Sequence, residues 1–207
     1  MQRRDFLTGA GAGLAATALA ACGKKEGAAT GGEQPAIRWR LASSYPKSLD
    51  TIYSAAEVMA KRVEAITNGK FQIRVHAAGD IVPGLQVLDA VQQGTVECGH
   101  SASYYYVGKN MAFAFDCAVP FGLTARQQNA WMYHGGGLEL TRELFKDYNI
   151  LNFPGGNTGV QMGGWFRKEI KSLADLNGLK MRIPGIGGQI MAKLGAVPQT
   201  LAGGDIY

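Results

Sequence analysis

The sequence is poor in the groups that most chemistry needs. Its 207 residues include three cysteines and three histidines, and only 18% of them are charged. Cys98 and Cys117 stand at no spacing that suits a metal or a dithiol redox centre. Cys98, within Val96-Glu97-Cys98-Gly99-His100, reads as a small buried side chain. His100 and His134 are isolated, which favours packing or surface roles over ligation. No Gly-x-Ser-x-Gly, no His-Glu-x-x-His and no Gly-x-Gly-x-x-Gly between a strand and a helix occurs. The common signatures of serine hydrolases, zinc proteases and dinucleotide enzymes are therefore missing. Lysines and arginines are scattered singly, so nucleic acid is an unsuitable partner despite a net charge of +5. There is no internal repeat. The apolar run near the N-terminus, diluted by Gly9, Gly11 and Gly13, is too short and glycine-rich for a membrane span.

What is present begins with an address. Arg3-Arg4-Asp5-Phe6-Leu7-Thr8 has the twin-arginine form of a bacterial export signal. Leu19-Ala20-Ala21-Cys22 has the form of a lipobox, with Cys22 lipidated as the mature N-terminus; cleavage after Ala18-Leu19-Ala20 to a soluble protein is the alternative. Either reading places the protein in the periplasm, lipid-anchored to the inner membrane in the first case. Losing residues 1–21 removes two basic side chains and one acidic one, which lowers the net charge by one. A mild positive balance suits an anionic small ligand. Residues 22–36 are polar and glycine-rich, a tether with an rms reach of roughly 20 Å.

The globular part opens with Ile37, Trp39 and Leu41 alternating against Arg38 and Arg40, a strand with one buried face. Leu49, Ile52, Tyr53, Ala56, Met59, Ala60, Val63 and Ile66 follow helical spacing, with Asn68-Gly69 as a C-cap. Phe71, Ile73 and Val75 give a second strand, residues 85–91 a second helix and residues 96–100 a third strand. This β-α-β-α-β order calls for a parallel sheet and places a first domain over residues 37–123. A second domain, residues 124–207, reads as helices at 125–134 and 138–148 and strands at 150–153, 164–167 and 179–183. Ser172-x-x-Asp175 has the form of a cap. Asp205 is a candidate cap of a further helix, which leaves this domain incomplete.

One residue points to chemistry. The strand at 179–183 must stop at Pro184, which has no N–H for a ladder. Arg182 is thereby held at the carboxyl end of a strand, where open α/β sheets bind ligands. Its planar guanidinium suits a carboxylate, although a surface arginine paired with a local acid would read the same way. Gly185-Ile186-Gly187-Gly188 behind it is a weak anion-binding loop. Asn157 on a glycine turn is ordinarily a residue that tolerates a left-handed backbone, and Gln161 fits a solvated strand. Tyr104 and Tyr106 share a face if their segment is a strand, whereas in a helix Tyr104 alone lines a site.

Gly155-Gly156-Asn157-Thr158-Gly159-Val160-Gln161, Trp165-Phe166-Arg167-Lys168 and Leu173-Ala174-Asp175-Leu176-Asn177-Gly178-Leu179-Lys180-Met181-Arg182-Ile183-Pro184-Gly185 together resemble the extracytoplasmic solute-binding subunit of TRAP transporters. The resemblance is to the branch that binds 2-oxo acids and related monocarboxylates. Thr95-Val96-Glu97-Cys98-Gly99-His100-Ser101-Ala102-Ser103-Tyr104-Tyr105-Tyr106 is similar to that family's ligand-facing segment. The resemblance implies an α/β, two-domain flytrap of the periplasmic-binding-protein type, not an enzyme. Such a protein delivers a small carboxylate to sodium-coupled membrane subunits, and in the full-length form it is a candidate homodimer. Arg182 would hold the ligand carboxylate, Asn157 would donate to a ligand oxygen, and Tyr104 or a neighbouring tyrosine would close the site. Gln161 would offer its carbonyl oxygen to a bridging sodium or calcium ion, with no organic cofactor. The family's remaining metal and ligand residues lie in a Trp-Glu-like or Asp-containing motif after the point where this chain stops, so a truncated member is expected. The rival class is an exported oxidoreductase of unknown cofactor, which a twin-arginine signal often accompanies.

Overall fold

The computed structural model describes residues 36–206. The signal segment, the lipidation at Cys22 and the tether up to residue 35 lie outside the described residues.

β1 (Ile37–Ser43) is the centre of a three-stranded sheet. It pairs in parallel with β2 (Phe71–His76), Ile37 opposite Phe71 and Ala42 opposite His76. It also pairs in parallel with β3 (Cys98–His100), Leu41 opposite Cys98 and Ser43 opposite His100. The parallel sheet expected from the sequence is present. α1 (Asp50–Ile66) connects β1 to β2 and buries Tyr53, Ala56 and Ala60, spaced to fall on one face. Asn68 and Gly69 end it with φ of 50° and 75°, and the Gly69 N–H returns to the Glu64 carbonyl at 2.8 Å. A 3-10 turn (Gly84–Gln86) leads into α2 (Val87–Gln92), which packs Val87 and Ala90 against Ala42 and Val96.

A second core joins the two halves of the chain. Leu88 and Tyr106 meet Phe113 and Phe145 there, with the Phe113 and Phe145 rings edge to face at 5.1 Å. Phe145 is on α4 (Gly137–Lys146), which follows α3 (Ala125–His134). α3 opens on a reciprocal capping box between Thr124 and Gln127. The break between these helices requires glycine, because a Cβ at Gly137 would lie 2.6 Å from the Trp131 ring. Further along, β4 (Lys180–Arg182) crosses over through α5 (Gly185–Lys193) to a parallel partner, β5 (Val197–Gln199).

Three expectations need correction. Residues 150–153 and 164–167 carry no regular structure. Their apolar side chains suit a strand, but a ladder requires a neighbouring strand, and among the described residues none pairs with them. β5 was not expected because Pro198 sits inside it; in a two-stranded sheet proline can occupy the side that faces away from the partner. Asp205 does not open a helix: it ends a short 3-10 turn (Gly203–Asp205). The Ser172/Asp175 cap is present, on a 3-10 turn (Leu173–Leu176).

Candidate ligand-binding site

The carboxyl ends of β1, β3 and β4 come together around the tyrosine run. Residues after β3 turn into a 3-10 helix (Ser103–Tyr106), so Tyr104, Tyr105 and Tyr106 point in three directions instead of alternating. Tyr106 is buried in the core, and its hydroxyl accepts the Leu88 N–H at 3.2 Å. Tyr105 stacks edge to face on Tyr104 at 4.8 Å. Tyr104 packs against the start of α5, where a Cβ at Gly185 would sit 3.4 Å from its own Cβ. Gly185 has φ of 68°, so glycine serves both the close approach and the left-handed backbone.

Arg182 completes this corner. Its Nε and Nη2 both donate to the Leu201 carbonyl, at 3.1 and 2.8 Å. Nη2 also donates to the Tyr105 hydroxyl at 3.3 Å, and the guanidinium lies 5.9 Å from the Tyr105 ring centre. The Nε proton and both Nη2 protons are thereby engaged, leaving the two on Nη1. Burial, and then Tyr105, raise the Tyr104 phenol above its ordinary value, while Arg182 pulls it the other way. The guanidinium is thus within electrostatic reach of Tyr104. Among the described residues none of its hydrogen-bond partners is an acid, which does not favour the reading of a locally paired surface arginine.

His100, at the end of β3, is half-buried and stacks edge to face on Tyr45 at 5.1 Å. Burial lowers its pKa and favours the neutral imidazole. Its Nδ1 is buried, and among the described residues no hydrogen bond reaches it. A Cβ at Gly155 would lie 3.7 Å from its Cδ2, which brings the following glycine turn to the sheet end. On that turn Asn157 Oδ1 accepts the Gly159 N–H at 2.8 Å, and Gln161 Nε2 donates to Thr158 Oγ1 at 3.0 Å. Both side chains are exposed, and no hydrogen bond joins either to Arg182. Arg182 is therefore joined to Tyr105, which stacks on Tyr104, while Asn157 and Gln161 stay on a separate turn. Sequence reasoning passed over the Leu201 carbonyl, which any residue type supplies, and singled out Tyr104 ahead of Tyr105. Cys98, expected as a buried side chain, is half-buried, and burial pushes its thiol up to about 11.

A bridging cation is met only in part. Gln161 Oε1 is an oxygen donor of the right hardness, but calcium takes six to eight such ligands, many of them anionic. Among the described residues no group of three or more acidic, histidine or cysteine side chains could hold a metal. These residues do not make a cation site by themselves.

The profile of the bacterial extracellular solute-binding proteins, family 7, matches residues 42–207. The chain belongs to this family. Over all 207 residues this family 7 chain is 56% identical to the monocarboxylate 2-oxoacid-binding periplasmic protein of Nostoc sp. (strain PCC 7120), of which it covers 57%. A TRAP transporter solute-binding protein from Bordetella bronchiseptica, solved with calcium and picolinate, is 60% identical with a TM-score of 0.82, over 84% of this chain and 52% of that one. A TRAP periplasmic solute-binding protein from Pseudoalteromonas atlantica, with bound sodium and pyruvate, is 48% identical with a TM-score of 0.80, over 83% and 52%. The α/β fold inferred from the sequence is that of these flytrap proteins. The family 7 chain spans about half the length of these relatives.

Proposed function

We propose that this family 7 chain supplies the arginine corner of an extracytoplasmic receptor for a small 2-oxo or 2-hydroxy monocarboxylate. The receptor would hand that solute to TRAP membrane subunits, working in the periplasm with Cys22 as its lipid anchor. The observation that carries the reading is Arg182, fixed at the end of β4 by the Leu201 carbonyl, with no acid on it among the described residues. With Nε engaged by Leu201, a parallel two-bond grip on a carboxylate takes one proton from each terminal nitrogen. Nη1 is open, and the Nη2 contact to Tyr105 is the longest of the three, so it yields first. Tyr105 can then turn its hydroxyl proton onto the same carboxylate. The relatives solved with pyruvate or picolinate support the ligand class, and their sodium or calcium supports a cation beside it. Asn157 and Gln161 belong to the site in this reading through movement of their exposed turn, Asn157 to a ligand oxygen and Gln161 to the cation. The division into domains at residues 37–123 and 124–207, and a homodimer, complete the proposal.

Isothermal titration of the protein purified from its native host tests it. Pyruvate or a longer 2-oxo acid should bind in the micromolar range, about −8 kcal/mol. Arg182→Ala should cost about 3 kcal/mol, and Arg182→Lys should recover little because an ammonium offers no parallel pair of donors. Unchanged affinity in Arg182→Ala would remove the assigned role.

A further inference from the structure

Behind the tyrosine turn lies a run of hydroxyls. The Leu88 N–H points at the Tyr106 hydroxyl, 3.2 Å away. That hydroxyl is 2.7 Å from Ser101 Oγ, which is 2.6 Å from Ser44 Oγ, which in turn is 2.6 Å from the Gly84 carbonyl oxygen. The two ends fix every proton between them. A backbone N–H can only donate and a carbonyl can only accept. Ser44 must give its proton to Gly84, so Ser101 gives its proton to Ser44, and Tyr106 gives its proton to Ser101. The chain therefore runs one way, from Leu88 to Gly84, and each member polarises the next.

Its members sit where they can govern the site. Ser44 directly follows β1 and Ser101 directly follows β3. Tyr106 ends the same turn that carries Tyr104 and Tyr105. The other end of the turn is tied by the Ser103 hydroxyl to the Asp116 carboxylate, and the Asp116 carbonyl accepts from Gln128 Nε2 on α3 at 2.9 Å. Tyr105 is thus suspended between two pinned ends, with its ring against Tyr104 at 4.8 Å and Tyr106 at 6.5 Å. Gly84 is required here, because a Cβ would lie 2.8 Å from the Ser44 carbonyl oxygen and push the chain apart.

We infer that Tyr106, backed by Ser101 and Ser44, is a positioning residue for the carboxylate site: its one-way hydrogen-bond chain fixes the turn that presents Tyr105 to Arg182. The inference rests on the carboxylate-receptor reading for its effect on affinity, but its effect on Tyr105 stands apart from that reading. A side chain held by such supporting bonds keeps productive geometry that a loose one loses.

The test places a fluorinated tyrosine at position 105 of the native-host protein and follows its fluorine resonance, melting midpoint and pyruvate titration together. The parent should give one narrow resonance. Tyr106→Phe and Ser101→Ala should each broaden or split it and weaken pyruvate binding about tenfold, the scale of one unmade hydrogen bond. Ser101→Thr, which keeps the hydroxyl, should restore both. If Tyr106→Phe does not fold, Ser101→Ala against Ser101→Thr decides the matter. A lower midpoint with an unchanged Tyr105 resonance and unchanged affinity would overturn the inference and leave the chain a purely structural one. If the parent binds neither pyruvate nor a longer 2-oxo or 2-hydroxy acid, the receptor reading fails, and the fluorine spectra alone decide whether Tyr106 positions Tyr105.

Discussion

At the scale of single residues, the arginine was legible and its surroundings were not. Pro184 tells where β4 must stop, and an arginine beside that stop has a chemical meaning that sequence can convey. The partner that fixes Arg182 is a carbonyl of Leu201, nineteen positions away, and a carbonyl leaves no mark on residue type. Tyr105 was hidden among three tyrosines because strand and 3-10 geometry assign their directions differently. Glycines repeat the lesson. Gly188 lets the first turn of α5 fold back on the residue that follows β4, since a Cβ there would be 2.4 Å from the Ile183 carbonyl oxygen, whereas nothing lies within 4 Å of a Cβ at Gly108. Gly188→Ala should destabilise the fold by about 1–3 kcal/mol, and Gly108→Ala should leave it nearly unchanged. Denaturant titration of the two variants checks this; equal midpoints would contradict the packing argument.

Among elements, those that carry their own partner in the sequence were read well. The β-α-β-α-β order of the first sheet follows from alternation, helical spacing and the Asn68-Gly69 stop. Residues 150–153 are a short apolar run as well, yet Leu151 and Phe153 are exposed and the segment is irregular, because apolar composition does not supply a neighbouring strand. The first sheet has a second tie that pattern does not reveal. Arg40 on β1 grips Glu97, just before β3, with Nη2 to Oε1 at 2.9 Å, and the Arg40 N–H adds a bond of 2.7 Å to Oε2. These bonds hold the Glu97 carboxyl down at about 2. A depressed folded value means that the contribution is present above the ordinary carboxylate range and lost as pH falls towards about 2. Both groups are solvent-exposed, so the effect is small and salt-sensitive. Glu97→Gln should lower the melting midpoint slightly at neutral pH, with the gap closing below the carboxylate range. A gap that persists undiminished at pH 2 would show another cause.

For the whole molecule, length is the governing fact. The chain spans about half of its relatives, and its surface has a matching character. Phe115, Leu123, Trp131, Leu140 and Leu144 line an apolar groove of about 490 Å³, and Phe121 beside it is fully exposed. Trp165 and Val160 are exposed as well. Patches of this kind favour association. A chain of these 207 residues produced alone should bind an apolar dye and sediment above monomer mass; a dye-silent monomer would contradict this. The proposed cation belongs to the same scale, since Gln161 is neutral and no acidic, histidine or cysteine cluster among the described residues could join it. In the native-host protein, pyruvate affinity should fall when sodium and calcium are replaced by potassium. Equal titrations would leave Gln161 a hydrogen-bonding residue only.

The hydroxyl chain closes on itself in a way that bears on motion. Gly84 and Leu88 are four residues apart, the separation of a direct α-helical bond, so the three side chains form a loop laid across the start of α2. Its protons cannot trade places with solvent deuterium one at a time without leaving a buried neighbour unpaired. They should exchange together, when the first turn of α2 opens. The Tyr106 hydroxyl proton would then serve as a clock for that opening, slow in the closed molecule and fast in any variant that lets the turn swing free.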